Sequence, residues 1–550
     1  MRRPRPRRRS PRLPVIVLLA GAIGGAVAQQ HIDDDRAARA SAEANAAGDA
    51  GDWAVPVEAM PTVAGDDVLA STWYCAAGTG DEGGMADHTV AILNPSDQAL
   101  DATVTVYGGV LATQGTPPAP VPAPVRQQVR LPARDRVELR LGDVVAAPLV
   151  AALVEVQGGA VAVDHGVSGP NGADAGPCAS DAAPVWHLAS GATTRDAREV
   201  VALFNPFPTD AIVDVAFGTD AGSREPLRFQ GFPVPAGSVV GVDIGDDIAR
   251  EAQVSATLRV RTGRLVVERL QSFDGSLGPE GLSLALGVPE ASTTWAFADG
   301  TVNEAQTERI VVYNPGDDRA EVDLSVLPTT EAPAPAPQAF GLSIPAGDFS
   351  VVDYGAEDRV AVGVGHATLV RSTNGVPVVA ERVLSHTVAA DDEDDENDED
   401  DENDENESMG DTASGPGAAL AARRWSFPAS LGGDGSTTRV VVFNPDPERP
   451  TRVTLLEVAH GRETAIGTAR DVEIPAGGRV TLTDEPDDGD GADDPDDPSG
   501  GVPESAWVVE SEAPVVAERV VLGAGGLRVA SELGLPSADG AGPLADREQP

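Results

Sequence analysis

Residues 308–315 read ERIVVYNP, an apolar strand that ends in Asn-Pro, and closely similar stretches recur three times along the chain. They read HTVAILNP at 88–95, REVVALFNP at 198–206 and TRVVVFNP at 438–445. A tryptophan precedes each stretch, and a Pro turn follows it as LPARD, VPAGS, IPAGD or IPAGG. Subtracting the tryptophan numbers gives spacings of 113, 109 and 130 residues. Such ordered landmarks indicate one domain present in four copies.

Two landmark residue types mark the copies: Trp73, Trp186, Trp295, Trp425, Asn94, Asn205, Asn314 and Asn444. One tryptophan per copy at the start of a first strand predicts a buried core residue, with an exposed sugar-stacking platform as the alternative. Proline lacks an N–H and stops a strand ladder, and the preceding asparagine can close an Asx turn with its own side chain. We therefore interpret the Asn-Pro motif and the Pro turn that follows it as structural. The functional alternative is that the turns line up as a binding edge.

The fold class follows from the segments between these landmarks. In the third copy, short runs rich in Val, Ile and aromatic residues occupy 309–313, 321–327, 340–344, 349–354, 366–371 and 377–384. Apolar residues at 322, 324 and 326 alternate with polar ones, which is typical of a half-buried strand. With 60 Gly and 45 Pro in the chain, this pattern predicts an all-β protein. We expect four tandem immunoglobulin-like β-sandwich repeats after an N-terminal signal or anchor helix.

The domain organisation is predicted from composition along the chain. Seven Arg among the first twelve residues precede an apolar run at 13–28, as in an export signal that is either cleaved or retained as an N-terminal membrane anchor. The predicted segments are a signal or anchor at 1–28, a disordered stalk at 29–65, repeats at 66–170, 171–288, 289–388 and 423–536, an acidic disordered linker at 389–422, and a disordered tail at 537–550.

Charge excludes some partners. The chain has 87 Asp and Glu against 39 Lys and Arg, a net charge of −48, and no Lys at all. Such a surface repels nucleic acid at ordinary salt. The tract 391–407 holds only Asp, Glu and Asn, and the Asp-rich stretch 484–497 lacks the ligand register of an EF-hand. We predict no bound metal or other cofactor; diffuse cation binding by the acidic tracts stays open.

Two cysteines, Cys75 and Cys178, are the only ones in the chain. Outside the cytosol such a pair is more often bridged than free, so we predict a disulfide. Two unrelated thiols, or a metal site, are the alternatives.

Acidic residues recur near the end of three copies, at Glu268, Glu381 and Glu518, each followed by Arg. Copy 1 has Asp164-His165 at the corresponding place. We interpret these pairs as buried or solvated structural charges; a row of ligand-facing carboxylates is the alternative.

Catalytic motifs are absent: we find no H-E-x-x-H, G-x-S-x-G, P-loop or Rossmann glycine pattern. We therefore predict no enzyme but an extracytoplasmic structural or interaction protein. Its partner is an unknown envelope protein or a cell-wall glycan, with membrane contact at the N-terminus if the signal is uncleaved. A carbohydrate-recognising accessory module for cell-wall glycans is the second hypothesis, and an exported hydrolase is the third.

The N-terminal anchor, Trp73-Tyr74-Cys75, Gly-Pro-Cys178 before Trp186 and the repeated apolar-Asn-Pro strands resemble an uncharacterised family of large exported actinobacterial proteins. The resemblance extends from the anchor to about residue 535. Because that family is a domain of unknown function, the resemblance implies location and architecture, and it implies no catalytic residue.

Overall fold

The computed structural model describes residues 60–65, 68–112, 121–329, 336–388, 409–429, 437–483, 506–522 and 529–544. The predicted signal or anchor, residues 29–59 of the stalk, the acidic tract 391–407 and the Asp-rich stretch 484–497 lie outside these residues. The described part is all-β, as predicted, with four single-turn 3-10 helices at Leu141–Asp143, Leu227–Phe229, Ile244–Asp246 and Tyr354–Ala356. Over these ranges no helix has the length and apolar character needed to cross a membrane.

Copies 1 and 2 occupy the first half of the described chain. Copy 1 contains β1 (Ser71–Cys75), β2 (Asp87–Asn94), β3 (Leu100–Ala112), β4 (Val125–Leu131), β5 (Asp135–Arg140), β6 (Leu149–Val156), β7 (Ala162–Gly169) and β8 (Gly172–Pro177). Copy 2 contains β9 (Val185–Leu188), β10 (Ala197–Asn205), β11 (Ala211–Thr219), a short β12 (Gly222–Arg224), β13 (Gln230–Val234), β14 (Ser238–Asp243), β15 (Val254–Thr262), β16 (Val266–Asp274) and β17 (Glu280–Leu286).

Copies 3 and 4 repeat this order. Copy 3 contains β18 (Thr294–Phe297), β19 (Gln306–Tyr313), β20 (Ala320–Pro328), β21 (Phe340–Ile344), β22 (Phe349–Asp353), β23 (His366–Ser372), β24 (Val379–Val388) and β25 (Met409–Pro416). Copy 4 contains β26 (Leu420–Phe427), β27 (Thr437–Phe443), β28 (Thr451–Ala459), β29 (Arg462–Ala465), β30 (Val472–Ile474), β31 (Arg479–Thr483), β32 (Ala506–Leu522) and β33 (Val529–Leu533), followed by β34 (Leu535–Pro536) and β35 (Gly542–Pro543). The long β32 supplies both the sixth and the seventh strand of its copy.

Each copy is a two-sheet sandwich, and copy 3 shows its strand order without additions. One sheet runs β18-β23-β20-β21 and the other runs β22-β19-β24-β25. The first and second strands therefore lie in different sheets. In an immunoglobulin constant domain they are neighbours in one sheet, so the sandwich architecture agrees with the expectation whereas the strand order differs. Strand periodicity predicts that a strand exists but carries no information about its neighbour, which explains the difference.

The tryptophan of each copy lies in the core between its two sheets. Trp73 and Trp186 are 1% exposed, and Trp295 and Trp425 are fully buried. The indole N–H of Trp295 donates to the carbonyl of Val378 at 2.8 Å. Because these rings present no face to solvent, they form no sugar-stacking platform.

The asparagine of each copy is also buried, and it ties two turns together. Asn314 Nδ2 donates to the carbonyl oxygens of Asp318 and Ile344 at 2.8 and 2.9 Å, while its Oδ1 accepts from the N–H of Gly316 at 3.1 Å. The bond from Gly316 closes the Asx turn, the bond to Asp318 spans the same turn, and the bond to Ile344 joins it to the Pro turn that begins at Pro345. Asn94, Asn205 and Asn444 make the corresponding bonds.

Several predicted boundaries differ from the structure. Strand β25 lies inside the stretch 389–422 that the sequence predicts as a linker, and it pairs with β24 from Val388↔Met409 onward. The acidic tract is therefore an insertion into a hairpin of copy 3, not a separator of copies. Likewise β8 completes copy 1, although 171–288 is predicted as copy 2. A hairpin interrupted by charged residues leaves no local signal of its pairing, which explains the misplacement.

The four last strands, β8, β17, β25 and β33, stand side by side around a common axis. Strand β8 packs against β17 and β33, and β25 packs against the same two strands. Each of the four strands therefore contacts two of the others, and these contacts form a closed cycle. Small side chains allow this approach: a Cβ on Gly281 of β17 would lie 2.8 Å from the amide nitrogen of Thr412 in β25. The copies therefore form a closed ring in the order 1-2-3-4.

Outer contacts follow the same order. Residues 239–242 of β14 pair in parallel with residues 109–112 of β3, which makes one continuous sheet from copies 1 and 2. Across the closing contact, the N–H of Gly461 in copy 4 donates to the carbonyl of Arg134 in copy 1 at 3.1 Å. Copy 1 therefore contacts both its sequence neighbour and the copy farthest from it in sequence.

Both ends of the described chain are built into the ring. The N–H of Val63 donates to the carbonyl of Pro536 at 2.8 Å, and the carbonyl of Ala64 accepts from Ala160 of copy 1 at 2.9 Å. At the other terminus, β35 pairs with β26. Residues 60–65 and 537–544 are thus ordered, although the sequence predicts a disordered stalk and tail. Backbone hydrogen bonds to distant parts of the chain hold these residues in place, and amino-acid composition does not reveal such pairing.

Candidate functional site: the charged seams of the ring

The candidate carboxylates lie at the seams, defined here as the contacts between consecutive copies 1/2, 2/3, 3/4 and 4/1. Glu268, Glu381 and Glu518 are at most 2% exposed, as is Asp164 of copy 1. Each accepts backbone N–H groups three or four residues after the tryptophan of the preceding copy. The bonds run from Ala76 and Ala77 to Glu268 at 3.0 and 2.7 Å, from Ala189 to Glu381 at 2.7 Å, from Ala298 to Glu518 at 2.7 Å and from Ala429 to Asp164 at 2.9 Å.

At seams 2/3 and 3/4, the basic residue beside the carboxylate reaches forward to the next copy. Arg269 Nη1 lies 2.9 Å from Glu381 Oε2, and Arg382 Nη2 lies 2.7 Å from Glu518 Oε2. Each guanidinium also donates to the backbone carbonyl four residues after its own tryptophan. Because Arg stays charged in proteins and its fork satisfies several acceptors, these seams have compensated buried charge.

A second carboxylate strengthens seam 3/4. Asp299 Oδ1 and Oδ2 lie 3.1 and 3.0 Å from Arg479 and Arg439 of copy 4. Burial alone would raise the pKa of Asp299, but the guanidinium groups of Arg479, Arg439 and Arg382 outweigh it and hold the pKa at about 2. Burial also raises the pKa of Glu518, and Arg382 opposes that rise. Seam 3/4 is therefore a network of ion pairs.

Seam 4/1 carries a shorter carboxylate, because Asp164 replaces the glutamate. Glu532 of β33 lies beside it and forms an ion pair with Arg519. Burial raises the pKa of Asp164 well above its usual range, and the charge of Glu532 and a hydrogen bond to it raise the pKa further, against the opposing Arg519. Seam 4/1 therefore holds two buried carboxylates, Asp164 and Glu532, against the one guanidinium of Arg519.

Seam 1/2 has histidines where the other seams have arginine. His165 Nε2 lies 3.4 Å from Glu268 Oε2, and His165 Nδ1 lies 2.7 Å from His88 Nε2. His88 Nδ1 lies 3.0 Å from the carbonyl of Val150. Burial and the neighbouring His165 lower the pKa of His88 well below its usual value. A buried chain of two imidazoles therefore ends on the seam carboxylate.

The predicted disulfide is confirmed: Cys75 and Cys178 are bonded, with 4.7 Å between their Cα atoms. It ties the first strand of copy 1 to the residue after the last strand of the same copy. The corresponding positions in copy 3 are Phe297 and Gly417, and a Cβ on Gly417 would lie 2.8 Å from the Phe297 ring. An aromatic ring seated on a glycine thus occupies the place of the disulfide.

Concave sites of different size occur in the described part of the chain, among them a groove of about 450 Å³ whose lining includes Met60, Pro184 and Trp186. A cavity of about 50 Å³ between the last strands and Met60 has room for water only. An open groove of about 690 Å³ lies between copies 1 and 4, with Arg134, Arg424 and Asp539 in its lining. The described residues that line it include no aromatic side chain. No group of three or more His, Cys, Asp or Glu that could hold a metal occurs over the same ranges.

Sequence reasoning identified the seam carboxylates but not their partners. His88, Asp299 and Glu532 come from other strands of the fold, and their importance depends on which copies touch. One signal was available, because Asp164-His165 interrupts an otherwise regular Glu-Arg series. That irregularity marks copy 1 as the member whose seams differ in chemistry.

Comparison with known proteins yields a family-model match over part of the chain and no activity. The model of a family of unknown function (DUF5719) matches residues 161–398. No curated protein matches the chain. Among solved structures, the chain is similar to the Anabaena sensory rhodopsin transducer, with 20% identity over 17% of this chain and 88% of that one and a TM-score of 0.15. It is also similar to Thermotoga maritima 1070, with 14% identity over 24% and 95% and a TM-score of 0.18. Scores this low carry no argument about fold or function.

Proposed function

We propose that the protein is an exported, non-enzymatic scaffold or spacer of the cell envelope, built as a closed ring of four sandwich domains. One observation carries the proposal: the repeated carboxylates face backbone amides and bases of a neighbouring copy and are buried there. Residues that bind substrate face a cleft. Because the repeated charged residues are buried in contacts between domains, they favour a rigid particle that works through its outer surface.

The first test of location is fractionation of cells that produce the full chain, followed by protease treatment of intact cells. We expect the protein in the envelope or the medium and the ring accessible from outside. Recovery in the cytosol alone would contradict export.

The glycan hypothesis is tested by sedimentation of the purified protein with insoluble cell-wall glycan, with released sugar measured in the same samples. The scaffold proposal predicts neither saturable binding nor sugar release. Saturable binding that is lost on Arg134→Ala in the open groove would instead favour the accessory-module hypothesis. Release of soluble sugar would favour the hydrolase.

A further inference from the structure

Large side chains fill one place in seam 1/2 that is open in seam 4/1. In seam 1/2, the residue after Trp73 contacts the residue two places after Asn205. These residues are Tyr74 and Phe207, whose ring centroids lie 6.4 Å apart. The guanidinium of Arg264 lies 4.8 Å from the centroid of the Phe207 ring. Aromatic and cation–π contacts therefore close this place in seam 1/2.

Seam 4/1 carries small side chains at the same three positions. Ser426 follows the tryptophan of copy 4, and Ser96 stands two places after the asparagine of copy 1. The registers of β2 with β7 and of β10 with β16 align Ala160 with Arg264. All three small residues line the open groove of about 690 Å³ between copies 1 and 4. Because ligand sites typically have roughly 300–1,000 Å³, the groove has room for a small ligand.

Arg134 lines this groove from a backbone position at which the other copies have glycine. Its φ is 46°, in the left-handed region that disfavours a residue with a Cβ. The glycines of the other copies, Gly237, Gly347 and Gly477, have φ values of 62°, 70° and 61°. The N–H of Arg134 donates to the carbonyl of Ser96 at 3.0 Å, and its carbonyl accepts from Gly461 at 3.1 Å. Copy 1 therefore holds a cation in the groove at a conformational cost, as is typical of functional sites.

A buried donor next to the groove wall lacks a partner. In copies 2, 3 and 4, the tryptophan donates its indole N–H to the backbone carbonyl that precedes the seventh strand. The indole N–H of Trp73 has no hydrogen-bond partner in the described chain, although Trp73 is 1% exposed. In copy 1 the hairpin before that strand is bonded instead to the N-terminal segment, since Ala160 N–H donates to the carbonyl of Ala64 at 2.9 Å. An unsatisfied buried donor costs stability, so the wall of this groove carries a second cost.

The charged side chains of the groove are of both signs. Arg424 is already paired with two glutamates of its own copy. Arg134, Asp97 and Asp539 also line the groove, and their side chains make no ion pair or hydrogen bond within the described ranges. One guanidinium and two carboxylates are therefore available to a ligand.

We propose that the groove between copies 1 and 4 binds a short peptide that carries both a carboxylate and an ammonium group. The guanidinium of Arg134 would bind the carboxylate as a bidentate pair, and Asp97 and Asp539 would bind the ammonium group. One unpaired guanidinium beside two acids does not balance the charge of a phosphate group. No aromatic ring in the described lining offers a stacking face to a sugar. The site goes beyond the scaffold role and does not depend on where in the cell the ring works.

Equilibrium dialysis of the purified chain against a synthetic tetrapeptide library with free termini tests this, with the bound peptides identified by mass spectrometry. Titration calorimetry in low-salt buffer then measures the dissociation constants of the retained peptides. Each retained peptide is also made in an N-acetylated and a C-amidated form, which removes the two terminal charges one at a time. We expect saturable binding of the free peptides and a dissociation constant at least about tenfold higher for either capped form.

Arg134→Gly is the decisive variant, because it removes the cation and restores the glycine of the other three copies. We expect its dissociation constant to be at least about tenfold higher and its melting temperature to be no lower than that of the wild-type protein. Arg130→Ala is the matched control, because its ion pair with Asp101 lies outside the groove lining, and it should bind as the wild-type protein does. Ser96→Phe with Ser426→Tyr places the aromatic pair of seam 1/2 in the groove and should abolish binding.

Three results would overturn the proposal: retention of no peptide by the wild-type protein, equal binding by the wild-type protein and Arg134→Gly, or equal binding of the free and capped peptides. Saturable binding of trigalacturonic acid, an acidic sugar without an amine, in place of the peptides would also overturn it and would favour the accessory-module hypothesis. None of these results depends on cell fractionation, so the groove proposal and the scaffold proposal fail separately.

Discussion

Copy 1 and copy 3 have the same eight-strand order, yet they close the same place in the sandwich with different chemistry. Copy 1 joins its first and last strands by the Cys75–Cys178 bond. Copy 3 seats the Phe297 ring on Gly417 at the corresponding positions. This place in the sandwich therefore requires filled volume between two strand ends and does not require a covalent bond. Either a disulfide or an aromatic contact supplies it.

The seams show a second difference. Copy 3 reaches forward with Arg382, a permanent cation, and copy 1 reaches forward with His165. Arginine also has enough donors to bind the carbonyl of its own copy and the glutamate of the next. Histidine has two ring nitrogens, and one of them is used by His88. We therefore expect the two seams to differ in strength.

The largest effect should come from removing the base of copy 3's seam. Arg382→Ala leaves Glu518 buried without its cation, which should cost about 3–5 kcal/mol in the free energy of unfolding. Thermal and denaturant unfolding of the purified ring measure this. The control is Arg130→Ala, whose partner Asp101 is 62% exposed, and we expect a cost of about 1 kcal/mol or less. Equal costs for the two variants would show that the buried seam ion pair contributes no more to stability than the exposed pair of Arg130 and Asp101.

Exchanging the disulfide for copy 3's pair comes next. Removing the bond by Cys75→Ser with Cys178→Ser should cost about 2–5 kcal/mol. Cys75→Phe with Cys178→Gly should recover part of that loss, because copy 3 fills the same volume with these residues. Melting temperatures of the wild-type protein, the double Ser variant and the Phe/Gly variant, measured without reductant, test this expectation. A Phe/Gly variant no more stable than the double Ser variant would show that the two places are not equivalent.

A smaller effect is expected from Gly417→Ala in copy 3. The added Cβ would lie 2.8 Å from Cζ of Phe297, so the ring must shift, at a cost of about 1–3 kcal/mol. Gly415→Ala, two residues earlier and on β25, is the matched control, because no heavy atom lies within 4 Å of the added Cβ. Chemical denaturation measures both. If Gly415→Ala destabilised as much as Gly417→Ala, strand propensity and not the ring contact would explain the loss.

The smallest effect concerns Glu199 of copy 2, at the position of Glu308 in copy 3. Glu308 Oε2 lies 3.1 Å from His366 Nε2, whereas Glu199 Oε2 has no hydrogen-bond partner in the described chain. Burial raises the pKa of Glu199 to about 8, against the opposing Arg269. Between about pH 4.5 and about pH 8, the folded chain keeps a proton that the unfolded chain releases, so stability falls as the pH rises.

Glu199→Gln removes that titration. We expect Glu199→Gln to be more stable than the wild-type protein at about pH 8 and to differ little from it at about pH 5. Unfolding at both pH values measures the difference. A variant that loses stability at about pH 8 would show that the carboxylate is ionised and useful in the folded protein.

Much of the local structure could be predicted from the sequence. The strand patterns in copy 3 recover 340–344 entirely and most of the other strands, because alternation of apolar residues is a local property. The two cysteines predicted their own bond, since export and an even count favour pairing. Strand β25 was missed because its hairpin partner lies beyond a charged insertion of about twenty residues, and no local pattern links them.

The amino-acid sequence is enough to predict an all-β chain of four similar units, each with its Trp and Asn-Pro, and to show that copy 1 breaks the Glu-Arg series. The packed structure is needed to show that the units close into a ring, and that Glu268 meets His165 while Glu518 meets Arg382. Periodicity indicates which side chains are buried, and composition indicates which segments form turns, because both are local properties of the chain. Partners across a seam depend on contacts between strands roughly 100 or more residues apart, and these are set only when all four units pack around one axis.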